Sequence, residues 1–194
     1  MPSKRVPWWA VLSSAAAPVV LIGGWQLAAA RQPGGFDPVS QTISALAARG
    51  AADRWIMTTA LVGVGVCHVI TAAGLAPAAM PGRALLGTGG VATVALAGFP
   101  LSATGESPAH LAAASVTLST LSLWPALAWQ RGGTSGRNAS LLATGGLLGL
   151  LGWFGSEYFG GGPRIGLSER GLTGAQALWP LAAVLLARRR KGYP

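Results

Sequence analysis

Serine, histidine and carboxylate side chains recur at short intervals in an otherwise apolar chain, and these types are the ingredients of hydroxyl chemistry. Ser40 and Ser44 are four apart and share one face of a helix, with Gln41 beside them and Asp37 a turn earlier. Glu106 and His110 are also four apart, Glu157 and Tyr158 close a long apolar run, and "GGGPRIGLSERGL" carries Arg164, Ser168, Glu169 and Arg170. An activated hydroxyl needs a nucleophile, a base and a group that orients the base. Ser40 or Ser44, then His110, then Asp37, Glu106 or Glu157 supply those types. The same groups suit recognition without chemistry, with Asp37, Gln41, Arg164, Glu169 and Arg170 as the binding candidates. Arg164 and Arg170 have the fork geometry for a phosphate or carboxylate, although each can instead pair with a neighbouring acid.

The Glu106 and His110 spacing suits either an ion pair or two metal ligands. A third ligand would have to come from Asp37, Glu157 or Glu169, and neither HxxxH nor HExxH occurs. The simple pair is therefore expected, with no metal and no cofactor. The other histidine, His68, lies about 20 Å along an apolar run by helix rise, where an ionisable group is a functional candidate by default. The plainer expectation is a neutral ring bonded to a hydroxyl of a neighbouring helix, such as Ser115, Thr117, Ser119 or Ser122, because no second ionisable group lies at matching depth.

The elements that must position these residues are membrane helices. Of 194 residues 51% are hydrophobic and 10% charged, with mean hydropathy +0.49, where soluble domains carry about 25% charge. Apolar runs long enough to cross a bilayer occur at about 8–30, 55–76, 83–101, 109–129, 139–158 and 172–187. The expected fold is all-α, one transmembrane domain of six spans. The first run exceeds the roughly 7 to 15 apolar residues of a secretory signal, so a retained span is expected. Cys67 is the single cysteine, which leaves no disulfide framework.

Between the first two runs lies "FDPVSQTISALAARG". Asp37 and Pro38 read as N-cap and first helical position, and Gly50 as a left-handed terminator. Val39, Ile43, Leu46 and Ala47 make one apolar stripe. The spacing predicts an interfacial helix over about 38–49, roughly 18 Å long and too short for a hydrocarbon core of about 30 Å. Its hydroxyls face either a shared polar pocket or water.

Charge assigns sides. With six spans, Lys4, Arg5, Arg83, Arg131, Arg137, Arg188, Arg189, Arg190 and Lys191 share one side. Arg31, Arg49, Arg54, Arg164 and Arg170 share the other with every acidic residue, so both termini are expected in the cytoplasm of the cell membrane. The net charge of +9 then encodes topology, and nothing resembles a groove-reading nucleic-acid motif. For packing, Gly145 and Gly149 form a GxxxG pair continued by Gly152, and Ala84, Thr88 and Ala92 repeat at four-residue intervals. "LWPAL" and "LWPLA" in the fourth and sixth runs lack the surrounding similarity of a true repeat.

"PVSQTISAL" after the first run, "GFP" at Gly98 to Pro100, His110 at the start of the fourth run and "GLSER" before the last resemble the prokaryotic membrane family called domain of unknown function 998. In span number and outer loops the chain is more distantly similar to the DRAM-like and Frag-like group. The resemblance implies a six-helix bundle and lipid as its subject. Where an acid is expected soon after "GFP", this chain has Leu101 and Ser102, and Glu106 is its first acid. Shared carboxylate chemistry at that loop is not implied.

Three functions fit these residues. The first is an accessory or organising protein that binds a membrane lipid or isoprenoid at an outer-face polar pocket. The second is a membrane-embedded hydrolase or transferase of lipid headgroups using serine, histidine and carboxylate. The third is a small transporter, against which stand the few intramembrane charges. His110 beside Ser40 or Ser44 would favour the second, and a water-lined path to His68 the third.

Overall fold

The computed structural model describes residues 5–103, 105, 107–129 and 134–189, with backbone only at 134 and 135. Among them are six α-helices and no strand: α1 Trp8–Ala29, α2 Trp55–Gly74, α3 Met80–Gly98, α4 Pro108–Ala128, α5 Thr134–Gly160 and α6 Ile165–Arg189. Glu106 lies outside the described residues, as do Lys4, Arg131, Arg190 and Lys191.

Each apolar run is helical because the backbone groups of an apolar segment must bond within it. Proline starts α4 at Pro108 and helps start α3, where a missing N–H is harmless. Ser107 accepts from the His110 amide and caps α4. Helices α1, α2, α4 and α5 are long and apolar enough to cross a membrane. Helix α3 is diluted by glycine, and α6 carries Ser168, Glu169, Arg170 and Gln176.

Each helix packs on the next in sequence, and α6 returns to α1, so the six close into a ring. Outward faces carry Val19, Val66, Val91 and Leu142, all exposed. Glycines allow close approach at several helix pairs, and between α2 and α3 it is reciprocal. A Cβ on Gly65 would lie 2.5 Å from the Gly90 carbonyl oxygen, and one on Gly90 2.6 Å from that of Gly65. Two glycines therefore set the interhelical distance. The expected GxxxG face on α5 does not do this: Cβ atoms on Gly145, Gly149 and Gly152 would meet nothing within 4 Å. Spacing specifies a small face, and only the neighbour decides whether it is filled.

The segment after α1 also differs from expectation. Instead of a helix over 38–49 there are turns and one short 3-10 helix, Ser44–Ala47. Side chains outcompete the backbone here. Asp37 accepts from the amides of Val39 and Ser40, Gln41 from that of Asp37, Thr42 from that of Ala45, and Glu169 from that of Ile43. The expected apolar stripe splits as well. Ile43, Leu46 and Ala47 are buried against Leu21, Ala28, Ile56 and Met57 in a core cluster, whereas Val39 is exposed. Gly50 does adopt positive φ, at 105°.

Candidate functional site

The ring surrounds a partly open cavity of about 820 Å³. All six helices contribute, from Leu21 on α1 to Gln176 on α6. Leu121 lines its inner part and belongs to a second core cluster with Leu86, Trp124 and Val184. The other end of the cavity lies under the loop after α1. Leu61, Val64, Leu96, Leu118, Leu151 and Phe154 give it largely apolar walls.

The roof is built by the docking of the loop after α1 onto the start of α6. The Leu167 amide donates to the Val39 carbonyl at 3.0 Å. Gly166 permits this approach, since a Cβ there would sit 2.2 Å from the Gln41 carbonyl oxygen. Glu169 is buried, and its two oxygens accept from the Ile43 amide and, at 3.0 Å, from the Ser44 hydroxyl. A carboxylate thus sits at the amino end of the 3-10 helix, where unpaired amides favour negative charge. Nη1 of Arg170 donates to the carbonyls of Pro38, Gln41 and Gly166 at 2.9, 2.7 and 2.9 Å. Its guanidinium lies between Trp25 and Phe36, 4.7 and 5.1 Å from the ring centroids. Nε and Nη2 are buried without an acceptor among the described residues.

These contacts correct the expected last loop. Ile165 already begins α6, so Ser168, Glu169 and Arg170 are helical rather than part of a loop. Polar residues begin this helix because loop atoms satisfy them: Ser168 bonds back to the Ile165 carbonyl, and the loop takes both charged neighbours.

The structure brings together Asp37, Ser40, Gln41, Ser44, Glu169 and Arg170, and lines the same cavity with His110. Ser40 gives its hydroxyl proton to Asp37 and Ser44 gives its to Glu169. Asp37 is exposed, and the Ser40 hydroxyl and the Val39 amide hold its carboxyl below the usual range. His110 is bound elsewhere, its Nδ1 donating to the Phe99 carbonyl at 2.9 Å. A carbonyl only accepts, so Nδ1 carries a proton. Neither serine bonds to His110, and the "GFP" motif meets the histidine through its backbone.

Glu157, in the last turn of α5, and Arg164, in the turn before α6, stand apart. Glu157 accepts from Trp153 Nε1 at 3.3 Å and from the Arg164 amide at 2.8 Å, and the Arg164 side chain is exposed. Glu157 fastens that turn and does not line the cavity. Among the described residues no three of His, Cys, Asp and Glu gather around a point where a metal could sit.

His68 lines the inner part of the cavity, buried, its Nδ1 without a partner among the described residues. The expected hydroxyl bond is not made. Thr117 Oγ1 is likewise buried and unpartnered. Gln176, which the sequence reading passed over, donates from Nε2 to the Leu118 carbonyl at 2.9 Å and to Ser122 Oγ at 3.0 Å. An amide inside an apolar run was the signal that could have found it. Trp25 and Phe36 were also missed, because nothing local links them to Arg170.

No curated protein and no solved structure matches this chain. The two motifs that build the roof, "PVSQTISAL" and "GLSER", both lie within residues 14–186, which match the model of the family described as protein of unknown function (DUF998), and the chain belongs to that family.

Proposed function

We propose that this chain is a six-span protein of the cell membrane, both termini cytoplasmic, that binds a lipid or isoprenoid in the ring's cavity and serves an accessory or organising role. The observation that carries the reading is the cavity itself. Its volume of about 820 Å³ falls within the roughly 300 to 1,000 Å³ of ligand sites, and such sites pair apolar walls with a few placed polar groups. Ser40, Gln41, Thr42, Ser44 and His110 form a polar rim at its roofed end. A hydrolase or transferase would need His110 beside a serine, and both serines are committed to carboxylates instead. A transporter would need a path past Leu121 and Trp124, which pack the inner half.

The ring supports six spans, since α3 lies between α2 and α4 and α6 between α5 and α1, all helices that qualify as spans on their own. The orientation is supported by Arg5, Arg83, Arg137, Arg188 and Arg189, which share the end away from the roof. With Cys67 replaced by serine, a membrane-impermeant maleimide should label Ser40→Cys on intact cells and Arg188→Cys only after lysis. The opposite pattern rejects this topology.

Native mass spectrometry with lipid identification tests the ligand, comparing wild type with Ala114→Trp, which fills the cavity, and with Ser44→Ala and His110→Ala. A defined lipid retained by wild type and lost in Ala114→Trp supports binding. Identical bulk lipid in every sample overturns it.

A further inference from the structure

The cavity is polar at two levels, and the inner one is only partly satisfied. At the roof, the hydroxyls of Ser40 and Ser44 and Nδ1 of His110 already have partners. At the floor, Nδ1 of His68 and Oγ1 of Thr117 have none among the described residues, although both side chains are at least nine-tenths buried and line the cavity. Counting helix rise from the roofed ends, His68 is about 20 Å down α2, Thr117 about 14 Å down α4 and Gln176 about 17 Å down α6. Three helices thus place polar side chains in one belt, at a depth where hydrocarbon offers no partner.

The lining also restricts charge. Among the described lining residues there is no lysine, arginine or aspartate, and the single acid, Glu169, is occupied by Ile43 and Ser44 at the roof. Among the described lining residues a phosphate would meet no cation and an ammonium no unbonded carboxylate. Imidazole and hydroxyl can each donate or accept, which matches a hydroxyl or a carbonyl.

We infer that the ligand is an uncharged amphiphile whose hydroxyl or carbonyl bonds to His68 and Thr117 at the floor, its apolar body lying along Leu61, Val64, Leu96 and Leu118. The inference rests on the lipid-binding reading above and names the class of lipid. An isoprenoid alcohol has this chemistry and a phospholipid does not. No covalent step is involved.

The test uses farnesol and farnesyl phosphate, which share one chain and differ in the head. Each is titrated against the full-length protein in detergent and quantified by native mass spectrometry, with Thr117→Val and His68→Leu beside wild type. Wild type should hold farnesol at least tenfold more tightly than farnesyl phosphate. Thr117→Val, which keeps the side-chain shape, should weaken farnesol about fivefold or more without lowering the thermal midpoint, and His68→Leu should do the same. Equal or tighter phosphate binding overturns the inference, as does farnesol binding unchanged in both variants. In those cases wild type still binds a chain and the cavity reading stands. If wild type retains neither probe while Ala114→Trp has the same lipid profile as wild type, both readings fall together.

Discussion

The Ser44 hydroxyl donates to Oε1 of Glu169 at 3.0 Å, joining residues 125 apart in the chain. This bond, with that from the Ile43 amide to Oε2, fastens the roof to α6 and places a carboxylate at the start of the 3-10 helix. The roof is therefore a tertiary element, held by side chains of a helix the loop does not belong to.

Replacing Glu169 by Leu removes both acceptors and leaves the buried Ile43 amide without its partner. An unsatisfied buried group costs about 1–3 kcal/mol. Glu169→Leu should lower the thermal midpoint in detergent more than Ser44→Ala, which removes one bond worth about 1 kcal/mol. Equal midpoints for both variants and wild type would remove Glu169 from the account of the roof.

Arg170→Lys keeps the charge but loses the planar fork and the stacking between Trp25 and Phe36. A loss of about 1.4 kcal/mol raises the open population of a segment about tenfold. Hydrogen exchange at residues 39–44 should accelerate by roughly that factor while the middle of α2 is unaffected. Acceleration everywhere would mean that Arg170 supports the whole bundle rather than the roof.

Glycine substitutions separate filled from unfilled small faces. Gly90→Ala and Gly166→Ala each drive a Cβ into a backbone carbonyl oxygen, at 2.6 and 2.2 Å, and both should lower the thermal midpoint. Gly145→Ala and Gly149→Ala meet nothing within 4 Å. Alanine favours a helix by up to about 1 kcal/mol over glycine, so these should hold or raise the midpoint. A drop for Gly149→Ala equal to that of Gly90→Ala would show that α5 is packed on a surface outside this chain.

The Asp37 carboxyl is held below its ordinary value by the Ser40 hydroxyl first, then by the Val39 amide. A depressed folded value means that the ordering it contributes is present above the unfolded value of about 3.9 and is lost as pH falls through the folded one. The amide resonances of Val39 and Ser40 should titrate below pH 4 in wild type and not in Asp37→Asn. A midpoint above 4 would contradict the bonding.

Much of the fold is local and was readable. Apolar runs in lipid must form helices, Pro108 and Ser107 mark the start of α4, and Gly50 turns where a left-handed residue was expected, so helix existence followed from chain chemistry. The roof was not readable in this way. Residues 38–49 have the periodicity of a helix, and acceptors on Asp37, Thr42 and Glu169 dismantle it. The GxxxG spacing was visible on α5, but contact depends on what lies opposite, and glycines in close contact, such as Gly65 and Gly90, lie on other helices. Sequence by itself determined an apolar helical chain with its polar groups gathered in a few short segments, because those properties reside in single residues and their neighbours. Tertiary structure decided that Ser44 meets Glu169 rather than His110, that Arg170 sits between Trp25 and Phe36, and that His68 and Thr117 share one cavity. Each of these is a contact between different elements, governed by how the helices close into a ring, and no local pattern encodes that closure.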